Sequence, residues 1–180
     1  MSVQVALLRA INVGGTTKLA MADLRQMLST IGFEHPRTLL QTGNIVLVSD
    51  ALTGRELEHM LETEVERRLG LRTDIMVRSA PEWGRLVANN PFPDAAADDP
   101  ARVVAMFLKD APGPGAVDRL REAIRGPETI AAVDRELFVI YRDGIGRSKL
   151  TTKVIESTLR TRGTGRNWNT VLKLATLVAG

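Results

Sequence analysis

The chain has 180 residues, 44% of them hydrophobic and 25% charged, with a formal net charge of +3; this composition excludes wholesale disorder and suits two small domains or one large one. It contains no cysteine, which excludes disulfides, thiolate metal sites and cysteine nucleophiles. No run of about 18 apolar residues occurs, and no basic segment precedes an apolar stretch at the N-terminus, so the expectation is a cytoplasmic protein without a membrane span or signal peptide.

Val3 to Leu8 reads as a short apolar strand. It runs into Arg9-Ala10-Ile11-Asn12-Val13-Gly14-Gly15, where the glycine pair allows backbone angles that a Cβ forbids and lets a ligand or another segment approach the main chain. Two readings stand here: one wall of a polar site carrying Arg9, Asn12 and the nearby Lys18, or a tight turn with a solvated arginine. Met21, Leu24, Met27, Leu28 and Ile31 then recur at helical spacing, and Gly32 fits a helix stop. Thr38 to Gln41 and Ile45 to Val48 flank Thr42-Gly43-Asn44, a compact hairpin signal. A second helix is expected from about Arg55 to Leu69, with Leu57, Leu61, Val65 and Leu69 on one stripe, and a strand follows at Thr73 to Val77.

This order is βαββαβ, the split arrangement of a ferredoxin-like unit. Ile45 to Val48 and Ile75 to Val77 are apolar in both phases of the strand, so both sheet faces want cover. The second half of the chain and a second copy of it, in a homodimer, are the two candidates. An RNA-recognition module is excluded on a specific point: its two central strands stack bases on aromatic side chains, and neither Val3 to Leu8 nor Ile45 to Val48 contains one.

Ser79-Ala80-Pro81-Glu82 reads as the start of a helix carrying Trp83, Leu86 and Val87. Residues 89–101 are rich in proline and small residues and read as a linker. Their three aspartates lack the ligand spacing of a calcium loop. Val103 to Leu108 is a further strand, followed by a helix through Val117, Leu120 and Ile124, then a hairpin from Ile130 to Val133 and Leu137 to Tyr141. Two helices close the chain, one beginning near Ser148 and one near Asn167 with Trp168, Val171, Leu172, Ala175 and Val178 inward. The second half thus reads βαββαα, a partial echo of the first with no evident residue-level repeat. The expected organisation is α+β: a ferredoxin-like domain over 1–88, the linker, and a smaller α+β domain over 102–180 ending in a basic helical pair.

Charge is distributed unevenly. From Gly144 to Gly180 there are seven Lys/Arg against one acid, Glu156, so this segment is strongly basic and the remainder slightly acidic. Within it, Gly144-Ile145-Gly146-Arg147-Ser148-Lys149 combines two glycines, a helix start and two cations, which is phosphate-binding logic without the Walker spacing. Arg166-Asn167-Trp168-Asn169 repeats the theme: Asn167 is placed to cap a helix, with Arg166 and Asn169 facing outward. His35 and His59 lie in no catalytic pattern, and no Gly-x-Ser-x-Gly elbow occurs. Neither a metal site nor a cofactor is indicated, and an enzyme built from these parts works by positioning and Arg/Lys/Asn electrostatics.

Five stretches together, Leu7 to Gly15, Gln41-Thr42-Gly43-Asn44, Asn90-Pro91-Phe92, Gly144 to Leu150 and Arg166 to Val171, resemble the bacterial family known as domain of unknown function 1697 (DUF1697). The family usually has glycine where this chain has Ala10 and serine where it has Thr42. The resemblance spans nearly the whole chain and implies a ferredoxin-like first domain and a second α+β domain; it implies no activity. The leading functional expectation is an anionic ligand, whether phosphate, nucleotide or nucleic acid, in a cleft between the domains. Its candidate binding residues are Arg9, Asn12, Gly14, Gly15, Lys18, Asn44, Arg147, Ser148, Lys149, Arg166, Asn167 and Asn169. The alternatives are an enzyme acting on a phosphorylated or carboxylated metabolite, and a structural or interaction protein whose motifs brace the domains.

Overall fold

The computed structural model describes residues 1–12 and 18–180; residues 13–17, with Gly14 and Gly15 of the expected binding stretch, lie outside the described residues. The chain divides into two compact units, Met1–Val87 with Leu174–Gly180, and Ala88–Lys173. The expected linker therefore falls in the second unit, and it holds a short helix, Pro93–Asp98. The last helix is divided between the units, where the expectation gave it to the second domain alone.

In the first unit, β1 (Val3–Leu8), α1 (Met21–Thr30), β2 (Arg37–Leu39), β3 (Asn44–Val48), α2 (Gly54–Leu69) and β4 (Ile75–Ser79) follow one another, and the antiparallel sheet has the order β2-β3-β1-β4. This is the expected ferredoxin-like arrangement. Leu24, Leu28, Leu57, Leu61 and Val65 from the two helices pack on Ala6, Leu8, Ile45, Leu47, Ile75 and Val77. Each fully buried side chain of this size contributes roughly 1.5–3 kcal/mol relative to exposure. The strand residues of the other phase, Val5, Leu7, Val46 and Met76, are buried too, so neither face of the sheet is an open platform. A capping box then starts α3 (Ala80–Ala88): the Ser79 backbone N–H donates to Glu82 Oε2 at 2.7 Å and the Glu82 N–H to Ser79 Oγ at 3.4 Å.

The second unit begins with α4 (Pro93–Asp98) and continues through β5 (Val103–Leu108), α5 (Ala116–Ala123), β6 (Thr129–Val133), β7 (Glu136–Ile140), a 3-10 turn at Ile145–Arg147, α6 (Thr152–Leu159), β8 (Gly163–Asn167) and α7 (Trp168–Ala179). Its sheet has the order β6-β7-β5-β8 and is also antiparallel. The pattern is again βαββαβ, where the sequence suggested βαββαα. The missed strand is Gly-Thr-Gly-Arg-Asn. Its two glycines read as a loop, but they serve packing: a Cβ at Gly163 would lie 3.0 Å from Leu108 Cδ2, and one at Gly165 would lie 3.1 Å from Val104 Cγ1. Helix α6 starts at Thr152, capped by Thr151, rather than near Ser148. On α7, Leu172 is exposed and Leu174 is buried in its place, while the Trp168 ring meets Phe138 with centroids 6.3 Å apart.

Register aligns the strands of the two units. Leu8 pairs with Ile75 on β4, and Leu108 pairs with Gly163 on β8. The next position hydrogen-bonds in the same way in each: the Arg9 N–H donates to the Asp74 carbonyl at 2.9 Å, and the Lys109 N–H to the Arg162 carbonyl at 2.8 Å. The connections into these strands differ: α2 ends at the left-handed Gly70, five residues before β4, and α6 at the left-handed Arg160, three residues before β8, so the correspondence is one of strands and not of the linking residues. The edge strands are also treated alike. On α2, Glu62 and Glu58 accept the N–H groups of Ile75 and Val77 at 2.8 and 2.9 Å, and on α6, Glu156 accepts that of Gly163 at 3.0 Å. Carboxylates thus occupy backbone donors that an edge strand otherwise offers to a foreign strand.

Candidate functional site

The polar residues of the first unit gather at one corner. Asn12 takes a positive φ of 52°, a conformation that asparagine tolerates better than most residues. Its Nδ2 donates to the carbonyls of Leu19 at 2.8 Å and Gln41 at 2.5 Å, and its Oδ1 accepts the Leu19 N–H at 2.8 Å. Asn44 is buried and donates to the Leu39 carbonyl at 2.8 Å and to Thr42 Oγ1 at 3.0 Å. Gly43, at φ 75°, lets the turn lie against the strand end: a Cβ there would sit 2.6 Å from Ile11 Cδ1 and 2.8 Å from Leu8 Cβ. The Leu8 to Asn12 and Gln41 to Asn44 motifs are therefore one packed assembly in which both asparagine side chains bind backbone. Arg9 is half-buried and Lys18 exposed; the Arg9 carbonyl accepts the Thr73 hydroxyl at 2.7 Å.

In the second unit, Arg147, Ser148 and Lys149 line an open cleft of about 260 Å³ with Arg125, Gly126, Pro127, Glu128 and Asp143. The 3-10 turn places them. Its own bonds, Arg147 N–H to the Gly144 carbonyl and Ser148 N–H to the Ile145 carbonyl, consume amides that a helix start would have offered to an anion. Ser148 is a brace: its hydroxyl donates to Glu128 Oε1 and accepts the Leu150 N–H. Tyr141 pins the same loop from beneath by donating to the Leu150 carbonyl at 2.9 Å. Burial, with the Glu128 charge nearby, pushes its phenol up to about 12, so it stays a neutral donor. Arg147 and Lys149 are exposed, and their side chains make no hydrogen bond or ion pair among the described residues.

Arg166 departs from expectation. It lies in β8 and is buried rather than outward-facing, donating to Thr164 Oγ1 at 2.6 Å and to the Gly165 carbonyl at 2.9 Å. Burial lowers its pKa to about 10, so it remains charged at neutral pH. Asn167 caps α7, its Oδ1 accepting the Thr170 N–H at 3.0 Å, and Asn169 is exposed. None of these three lines the Arg147 cleft. Sequence reading missed Arg125 and Glu128, which join the cleft from a segment about twenty residues earlier, and Asp143, which immediately precedes the Gly144 to Lys149 motif.

Residues 1–138 match the family described as protein of unknown function, DUF1697. The chain belongs to the DUF1697 family. The matched part of this DUF1697 protein runs from β1 into β7, so the Arg147 cleft draws on residues both within and beyond it. No curated protein matches the chain. Among solved structures it is similar to the conserved bacterial protein SP0830 from Streptococcus pneumoniae, with a TM-score of 0.77, 22% identity and 98% of each chain covered. At that identity the likeness speaks for the fold alone. Among the described residues of the DUF1697 chain, no helix is long and apolar enough to cross a membrane, and no group of three or more His, Asp or Glu side chains is placed to hold a metal ion.

Proposed function

We propose that this DUF1697 protein binds an anionic ligand, a phosphate or a phosphate-bearing nucleotide or nucleic acid, through the Arg125–Arg147–Lys149 cleft of its second unit. The observation that carries the reading is that Arg147 and Lys149 stand in a concave surface with no partner among the described residues. Cations that share a cleft raise the local potential and attract counter-ions, while Glu128 and Asp143 on the same walls offer acceptors to a ligand's hydroxyl or amino groups. Asn12 and Asn44 of the first unit act as braces in this reading.

The test is a thermal-shift titration with inorganic phosphate, a nucleoside diphosphate and a short oligonucleotide. A ligand at a hundredfold its Kd adds about 2.7 kcal/mol to folding stability. The expected result is a rise in Tm with at least one of the three that is lost in the Arg147→Ala, Lys149→Ala double variant. A rise that survives in the double variant, or no rise with any of them, refutes the assignment.

A further inference from the structure

The two sheets end in the edge strands β2 and β4 in the first unit and β6 and β8 in the second. Carboxylates occupy outward backbone donors on β4 and β8. Strand β2 is three residues long, follows the buried Pro36 and carries the exposed Arg37, all of which blunt an edge. Strand β6 has none of these protections. It runs for five residues, Thr-Ile-Ala-Ala-Val, without proline, charge or a break in register. We propose that this edge docks a second copy of the chain, by antiparallel pairing of β6 with β6 across a two-fold axis.

The phase of the ladder shows which groups are open. The Leu108 N–H donates to the Arg135 carbonyl at 2.9 Å and the Tyr141 N–H to the Arg102 carbonyl at 2.8 Å. Backbone groups alternate along a strand, so Leu137 and Val139 of β7 also bond toward β5, and Glu136, Phe138 and Ile140 bond toward β6. Their partners there are Val133, Ala131 and Thr129. The N–H and C=O of Ile130 and Ala132 therefore point away from the sheet, and they have no partner among the described residues. The Ile130 side chain is buried in the core, so only its backbone serves the edge. Thr129 and Ala132 are exposed in the folded chain.

Charge selects the occupant and its direction. Arg125 stands exposed ahead of β6, bonded only to the Glu122 carbonyl, and Asp134 stands exposed behind it with no partner among the described residues. The other two flanking charges are engaged: Glu128 accepts the Ser148 hydroxyl, and Arg135 is half-buried with an interaction of its own. A strand with a cation ahead of it and an anion behind it complements its own copy when the two run antiparallel, because the two-fold axis makes each contact twice. Parallel pairing sets like charge against like. Open residues must also meet open residues. An axis at Ile130 satisfies this and sets the partner's Asp134 opposite Gly126, next to Arg125, whereas an axis at Ala131 sets it opposite Glu128, a like-charge pairing that is disfavoured. One strand pair is a small contact, below the roughly 1,200 Å² at which standard interfaces begin, so the association depends on concentration.

The test is sedimentation equilibrium of the full chain from micromolar to millimolar concentration, with amide hydrogen exchange at both ends of that range. The expected result is a monomer–dimer equilibrium in which exchange at Ile130 and Ala132 slows as concentration rises. Ala132→Pro removes an N–H that the β6–β7 ladder does not use, at an edge position where proline is tolerated; it is expected to weaken the dimer at least tenfold. Asp134→Asn keeps a residue that accepts φ 52° and is expected to weaken the dimer at least threefold at low salt, with the difference lost at high salt. A chain that stays monomeric at millimolar concentration overturns the proposal. So does a dimer that leaves exchange at Ile130 and Ala132 unchanged, a result that places the contact elsewhere without relying on any variant. A monomer in which those two amides slow only on addition of an extended peptide also overturns it, and gives the edge to a different protein. Each of these outcomes leaves the anion reading of the Arg147 cleft untouched.

Discussion

One side-chain amide at Asn12 holds three backbone groups, closing the loop back onto Leu19 and fastening it to the turn at Gln41. A net hydrogen bond contributes about 0.5–1.5 kcal/mol, so Asn12→Ala is expected to cost about 1–3 kcal/mol in urea unfolding. Asn12→Gly keeps the positive φ and isolates the part due to hydrogen bonding. A loss below about 0.5 kcal/mol for both variants contradicts the bracing role. Gly43→Ala is expected to cost about 2–4 kcal/mol, because the added Cβ meets Ile11 and Leu8 while the residue holds φ 75°. Asn12 and Asn44 were legible in the sequence as special residues, but not in their use. An amide that grips a ligand and one that grips backbone look the same until the strands are placed. Arg147 and Lys149 were legible because charge density survives without a fold, whereas Arg125 reaches their cleft only once α5 and the following loop are in position.

Among the elements, β1 and α2 follow from their apolar periods, and the observed bounds of β1, Val3–Leu8, coincide with the expected ones. Strand β8 was illegible because Gly-Thr-Gly-Arg-Asn has neither apolar alternation nor β-branched density, and its place in the sheet comes from partners on β5 rather than from its own propensity. Its edge is protected by Glu156. Glu156→Ala is expected to cost about 1–3 kcal/mol and to accelerate amide exchange at Gly163, with Glu156→Gln milder because its carbonyl oxygen still accepts. Unchanged exchange at Gly163 in Glu156→Ala defeats that account. On α2, Arg67 and Arg68 hold the Glu64 carboxyl down at about 2, from 4.5. A carboxyl pKa lowered by folding adds stability that is present above pH 4.5 and is lost as pH falls toward 2. The acid-induced loss of stability over that window is expected to shrink in Glu64→Gln.

At the level of the whole molecule, two units of one topology carry different charge. In the first unit Arg72 is paired with Glu66; the second unit contains the basic stretch from Arg147 to Arg166 and two cation-lined clefts. A repeated scaffold therefore has one copy whose polar motif braces loops and another that presents cations to solvent. Where those cations meet nucleic acid, salt reads the number of phosphates they neutralise. Three contacts to a single strand give a slope of about −2 in log affinity against log salt, so raising salt from about 50 to 200 mM is expected to weaken oligonucleotide binding roughly twentyfold. Removing Arg147 and Lys149 takes away two of the three contacts and flattens the slope by about 1.4. A slope already flat in the unmodified chain rules out phosphate-dominated binding to nucleic acid and leaves the small anions as the ligands of the second unit.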